Sequence, residues 1–547
     1  MSYKQLPLAD HHDGSANESS RTQHVQDEET PLDRGVFGSA NALHTAISIA
    51  AGTVMTLFGY EQGVFGGIIV GRDFLEYFDD PSPAMQGFVV SVYDLGCFFG
   101  ALLTLVVGEK LGRKRMLIIF TIIMGAGIVL QTASHNMTEM VWGRLIAGIG
   151  NGGNTATAPV WHVETSHPSA KGKAVVKEMA VNVLGFVISN FVTLAFSGYT
   201  TELQWRFPLG VQLVFVAIIL VMVPLLPESA RWLLARKRDD EARYVLRLLN
   251  DHDIEEEFEQ IRGSVKAEQA AQGSWSQLLK GGLATRRVVL GMVLQVAQQL
   301  SGINVLAYYL PVVLHKSVGL PQLTARIAAS ANAVSFFLTT LASIFFVDRV
   351  GRRPLLMAGA ALMAFAFLGV AIGVGLGFAL PESRGPGIAA TVFIWLYFTS
   401  FSTGWISVPW SVYILQNSWS FDWLMNWAVV QTTPPGIHHL RWGLYLIYAV
   451  FNAAFVPLVY YIVVETHGLS LEDTDHWFEQ NPGWFVHNAG SSGGANTAKR
   501  DGRPGRLLVA DDHEAMMRAF EVAADDDDAS LGSESPVTRR GSYPMIE

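Results

Sequence analysis

Charge and cysteine are both scarce in this chain. Only 16% of its 547 residues are Asp, Glu, Lys or Arg, where soluble globular proteins carry roughly 25%. That deficit excludes an ordinary soluble domain. With 50% hydrophobic residues and a positive mean hydropathy, the chain reads as a polytopic, all-α membrane protein. One cysteine, Cys97, excludes an intramolecular disulfide. The sequence shows no nucleotide-binding glycine loop, no metal-ligating cluster and no nucleophile triad. Nothing in it supports an enzyme, a cofactor or a metal. Residues 1–40 contain no early apolar stretch of the kind a cleavable leader needs. They read instead as a disordered cytosolic tail. The net charge of −10 points to acidic tails, such as the four aspartates at 525–528, and away from nucleic-acid binding, because the apolar body carries few charges.

What the chain has is long apolar runs. A helix needs about 20 such residues to cross the hydrocarbon core. Runs near 44–70, 86–108, 115–134, 139–163, 174–197 and 206–226 precede a polar stretch. Six more lie near 288–314, 322–347, 354–378, 388–414, 418–437 and 441–464. The eleventh is the weakest, since it contains Asp422 and ends at Pro434 and Pro435. The organisation expected is a cytosolic tail (1–43), a six-helix half (44–226), a cytosolic central loop (227–286), a second six-helix half (287–465) and a cytosolic, largely disordered tail (466–547). The stretch 511–524 suits a short helix. Lys110, Arg113, Lys114 and Arg115, then Arg231, Arg236, Lys237 and Arg238, then Arg349, Arg352 and Arg353 all fall on one side of the membrane under this count. By the positive-inside rule that side is cytoplasmic, and an even number of spans puts both termini there.

The two halves repeat. "GEKLGRKR" (108–115) and "VDRVGRRP" (347–354) each follow the second span of a half, and Glu109 and Asp348 stand 239 residues apart. "PESARW" (227–232) and "VETHGLS" (464–470) each close a half, with Glu228 and Glu465 237 apart. Topology alone explains any one arginine but not the repeated order of acid, base, glycine and paired bases. Parallel halves with a site between them are the plan of a major facilitator transporter. Within this apolar body Glu61, in "LFGYEQGVFGG" (57–67), is the only charge from 46 to 70. A charge at mid-bilayer costs roughly 2.5–3.5 kcal/mol on insertion scales, so Glu61 must be paired, protonated or facing a cavity. Gln298, Gln299 and Asn304 are carboxamides in one apolar run. Gln298 and Asn304 are about 1.7 turns apart on a continuous helix and would roughly share a face. An amide both donates and accepts, as a sugar hydroxyl does, with no charge to desolvate; interhelical bonding is the structural alternative.

These motifs resemble the sugar porter family of the major facilitator superfamily, over nearly all of 44–475. "GRLIAGIGNGGNTATAPVWHVE" (143–164) resembles its fourth-helix signature, "PESARWLLARKRDDEA" (227–242) the end of its sixth helix, and "QQLSGINVLAYY" (298–309) its seventh-helix sugar motif. "VDRVGRRP" and "ETHGLSLED" complete the set, in a style similar to filamentous-fungal members. The resemblance implies a major facilitator fold of twelve transmembrane helices and a carbohydrate:proton symporter that works by alternating access. It assigns sugar contacts to Gln298, Gln299, Asn304 and Trp410, with Phe58 and Tyr308 near the pocket. It makes Glu61 the proton-coupling carboxylate and Arg144 its partner, a static buried pair being the alternative. It places Glu109 with Arg113 and Asp348 with Arg352 as charge locks, joined by Glu164, Glu228, Arg231 and Glu465. The partners implied are a small-molecule sugar, a proton and the lipid bilayer, for a monomer in the plasma membrane.

Two departures stand out. The fifth-helix position where the family often has a sugar-binding glutamine is Met179, next to Glu178. After Trp410 the family's acid–proline–arginine–glycine sequence is missing, so that about eleven residues, including the start of the eleventh helix, are unaccounted for by the family's pattern. Asp422 and Trp423 fall where the family has a polar residue and a tryptophan near the sugar. A sugar-binding sensor, and an inactive product shortened near residue 417, stay open as alternatives, as does a polyol in place of a hexose or disaccharide.

Overall fold

Helix boundaries follow from local chemistry. Ser39 starts the first long helix by accepting from the Ala42 amide at 3.2 Å. Ser82 does the same for Met85 at 3.3 Å, with Pro83 in the first turn, and Asn136 for Glu139 at 2.9 Å. Such caps satisfy amides that a helix leaves unbonded at its start. The computed structural model describes residues 37–166, 171–251, 253–271, 283–380, 382–406 and 418–465. Within them lie twelve long helices: α1 (Ala40–Ile68), α2 (Pro83–Leu111), α3 (Arg113–Thr132), α4 (Met137–Thr165), α5 (Lys171–Ala195), α6 (Leu203–Leu225), α7 in two pieces (Leu283–Leu300 and Ile303–Val312), α8 (Gln322–Val350), α9 (Arg352–Ala379), α10 (Gly385–Trp405), α11 (Ser418–His439) and α12 (Trp442–Ile462). Ten are long and apolar enough to cross a membrane. The other two, α4 and α11, have the length, at 29 and 22 residues, but carry more polar side chains.

The eleventh helix starts where the sequence placed it and runs two residues further, packed on α2 and α7. One expectation needs correcting. The seventh is not one continuous helix. It breaks at Ser301 and Gly302, and Gly302 takes a φ of +89° that side-chain-bearing residues rarely adopt. A Cβ there would also fall 2.8 Å from Phe367. Gln298 and Gln299 therefore end one helix and Asn304 begins the next. The central polar stretch holds helices of its own, Ala230–Ala235, Asp239–Leu249 and Glu255–Ala271. His44 of α1 meets the second through the Leu249 carbonyl at 2.8 Å.

The first six helices and the last six form two halves. They meet where α2 packs on α11 and α5 on α8. Across that seam Ser91 donates to Gln431 at 2.8 Å, Arg326 to the Thr193 carbonyl at 3.3 Å, and Gln322 to the Val70 carbonyl. Among the described residues these contacts lie at the end of the bundle opposite the basic loops.

Candidate functional site: a buried ion pair beside an amide-lined cavity

Glu61 and Arg144 form an ion pair, and both side chains are fully buried. Arg144 has further partners. Its Nε donates to the Val89 carbonyl at 3.1 Å and its Nη2 to that of Val90 at 2.9 Å. Its guanidinium lies 4.0 Å from the centre of the Phe65 ring and 4.5 Å from that of Tyr93. The arginine is thus held by α2 and by aromatic faces, independently of the acid. Such a pair is weak evidence for stability, yet removing one partner strands the other charge. Arg144 has main-chain and ring partners besides the Glu61 carboxylate.

A cavity opens between the halves beside this pair, bordered by α1, α5, α7, α8, α10 and α11. Gln298, Gln299 and Asn304 all line it. Gln299 bonds to Asn304 across the break in α7, and its Nε2 donates to Asp422 at 2.5 Å. Gln298 donates its Nε2 to the Trp405 carbonyl at 2.5 Å. Phe58 lines the cavity too, edge-on to Trp423 with ring centres 5.3 Å apart. Tyr308 is not among the lining residues. It stands behind them, fully buried, its hydroxyl 3.1 Å from Asp94. Trp410 lies outside the described residues. Met179 does line the cavity, where it offers no hydrogen bond. Its neighbour Glu178 turns away and meets His162 at 2.6 Å, and His162 in turn meets Ser48 at 3.1 Å.

Sequence reasoning missed Asp94, Asn182, Asn426 and the His162–Glu178 pair. Asn426 lines the cavity and gives its Nδ2 to Asp94 at 3.3 Å. Like Glu61, Asp94 and Glu178 are acids in apolar surroundings, and that signal was open to the same question.

At the basic end the expected charge locks take a different form. Arg113 pairs with Glu164 through two bonds of 3.1 Å and not with Glu109. Glu109 takes part through its main-chain carbonyl, which accepts from Trp232 Nε1 at 2.9 Å and from Arg236. The α2–α3 turn is tight, so Glu109 and Arg113 sit on opposite sides of Gly112 while Glu164 reaches Arg113 from α4. Glu228 is a cap: it accepts from the Arg113 amide at 2.9 Å and the Lys114 amide at 3.2 Å, at the start of α3. Burial pushes its carboxyl above the ordinary range, and those amides pull it back. Glu465 repeats this at the start of α9, accepting from the Arg352 and Arg353 amides at 3.1 Å each. Gly112 and Gly351 take φ of +85° and +95°, and a Cβ on either would crowd the capping carboxylate. Arg231 sits in the central helices, 3.4 Å from Ser264. The Asp348 side chain lies outside the described residues.

The family model "Sugar (and other) transporter" matches residues 46–478. The chain is 38% identical to the MFS-type transporter oryC of Aspergillus oryzae, over 80% of this chain and 86% of that one. It is 32% identical to the sugar transporter STL1 of Saccharomyces cerevisiae, over 78% and 80% respectively. Among solved structures, the proton:xylose symporter XylE of the major facilitator superfamily, bound to 6-bromo-6-deoxy-D-glucose, aligns with a TM-score of 0.69 at 23% identity. That alignment covers 80% of this chain and 99% of that one, and it bears on fold.

Proposed function

Since the chain belongs to the sugar (and other) transporter family, within the major facilitator superfamily, we propose that it carries a sugar across a membrane together with a proton. The observation that carries this reading is the buried Glu61–Arg144 pair beside a cavity bordered by carboxamides and aromatic rings. Gln298, Gln299 and Asn304 bind ligand hydroxyls, Phe58 supplies an apolar ring face, and Trp410 is assigned the same work by its motif. Glu61 in its charged form is held by Arg144. On taking a proton it releases Arg144 and lets the halves rearrange. The contacts across α2–α11 and α5–α8 support a conformation closed at the end away from the basic loops. Opening the other way must break them and bring the halves together at the basic end, where the Arg113–Glu164 pair and the Arg352 turn lie. With the basic loops cytoplasmic, the protein sits in the plasma membrane as a monomer with both termini inside. Both tails, and the segment 407–417 that contains Trp410, lie outside the described residues.

Radiolabelled uptake in a transport-null yeast tests the reading, using hexoses, pentoses, disaccharides and polyols. Uptake of at least one that rises as external pH falls toward about 5, and that an uncoupler reduces, is the expected result. Surface-localised protein that takes up none of them contradicts it.

A further inference from the structure

A second cavity lies between the halves at the end away from the basic loops. Its volume is about 260 Å³, against about 80 Å³ for the amide-lined one, and the two share no lining residue. Ile69 of α1 and Pro83 and Gln86 of α2 border it from the first half. Seam contacts lie beside it. Gln322 donates to the Val70 carbonyl, next to Ile69, and Gln431 to the Ala84 carbonyl, next to Pro83, at 3.3 Å. The floor is apolar, formed by Ile69, Val312 and Ile437, all buried. Tyr309 adds a ring whose hydroxyl is already committed to the Val430 carbonyl at 3.0 Å. The rim is basic. Lys316, His438 and Arg441 are exposed and border the same cavity, and no carboxylate does so among the described residues.

Lysine and arginine in short turns favour the cytoplasmic side of a membrane, so two of them around one cavity at the opposite end need a local reason. Each also sits on unusual backbone. α7 runs on into a π turn, Val313–Ser317, which carries Lys316, and Tyr445 ties that turn to α12 through Ser317 at 2.7 Å. Such turns often mark functional sites. Arg441, between α11 and α12, takes a φ of +52°, a strained value for a residue with a side chain. Its guanidinium lies 5.3 Å from the centre of the Phe378 ring. An apolar hollow with a few placed charges has the composition of a ligand site. We propose that this outer cavity binds a small organic anion, a carboxylate or sulfonate on an apolar body. The apolar body covers the floor, and the anionic oxygens meet Lys316, Arg441 and, when it is protonated, His438. Opening this end parts α1 and α2 from α7 and α11 and takes the cavity apart. The anion therefore binds one conformation only, and it holds that end closed. It inhibits from a site separate from the amide-lined cavity. The binding stands by itself; the inhibition rests on the transport reading above.

The purified full chain is titrated near neutral pH with benzenesulfonate and with its uncharged counterpart benzenesulfonamide, and thermal stabilisation gives the affinity for each. Exposed charge pairs are weak, so the expected preference for the anion is about fivefold, shrinking as salt is raised. Lys316→Gln combined with Arg441→Gln abolishes the preference. Arg384→Gln, which removes an arginine at the same end but outside the cavity lining, keeps it. If the double variant is not monodisperse, Lys316→Gln alone should narrow the preference about twofold. Equal affinity for the two probes overturns the proposal, and so does a preference that survives in these variants. Stabilisation by phosphatidylglycerol with none by benzenesulfonate also overturns it, in favour of a lipid headgroup. Added outside transport-null yeast, benzenesulfonate should lower the maximal rate of sugar uptake without raising KM. A raised KM with an unchanged maximal rate puts the anion in the sugar cavity and contradicts the proposal. Uptake of no sugar at all removes the transport reading, and the binding comparison then decides this proposal alone.

Discussion

The two halves are nearly copies at the basic end and unlike at the centre. At the basic end each half places one glutamate on the first amides of a helix that follows a positive-φ glycine: Glu228 on α3, Glu465 on α9. At the centre the first half holds a buried ion pair, Glu61 with Arg144. The second holds a broken helix with amides on both sides of the break, Gln298, Gln299 and Asn304. The joint is a backbone device, which any duplicated helix pair can keep unchanged. The central chemistry depends on side chains alone and is free to diverge, so one half carries a buried ion pair there and the other carries amides.

That division can be broken at four places. Arg144→Ala strands the Glu61 carboxylate and should cost about 3–5 kcal/mol. It should be seen as lost monodisperse protein in detergent, and adding Glu61→Gln should recover part of the loss. If the double variant is no better than the single, Arg144 acts through Val89, Val90 and the rings instead. In the other half, Gln298→Ala or Asn304→Ala should weaken ligand affinity by about 1–3 kcal/mol, with membrane abundance little changed. Unchanged affinity in both would make these amides structural. Glu228→Ala and Glu465→Ala should each cost about 1 kcal/mol and by similar amounts, since both remove a cap from a helix start. Markedly unequal thermal shifts would show that the two joints are alike in geometry only. Met179→Gln adds an amide to Gln62 and Asn182, which the first half already presents to the cavity, and should change affinity by about 1 kcal/mol or less. A competition assay reads it, and a large loss would mean that the methionine fills space the ligand needs.

The spans were legible because apolarity needs no partner to be recognised. The repeat was legible because glycine, acid and paired bases recur at fixed separation. Glu61 and Arg144 were legible as a pair only through the family resemblance, since 83 positions part them. What escaped was the identity of partners brought together by packing. Arg113 chose Glu164 over the nearer Glu109, because the turn at Gly112 separates the latter. The break in α7 escaped because "LSGIN" has no proline, and the cost of its glycine is set by Phe367 and Tyr448, far along the chain. The Asp94–Asn426 bond joins residues 332 apart across the seam between halves, and no local pattern announces it.

Glu61→Gln keeps the shape of the protonated acid and removes its proton, so it isolates coupling from binding. Reconstituted in vesicles, the wild type should concentrate its sugar when a pH gradient is imposed. Glu61→Gln should bind and exchange the same sugar at comparable affinity yet never exceed equilibrium, because no proton moves with it. Accumulation that persists in Glu61→Gln, or a wild type indifferent to the gradient, would reduce Glu61 and Arg144 to a structural pair.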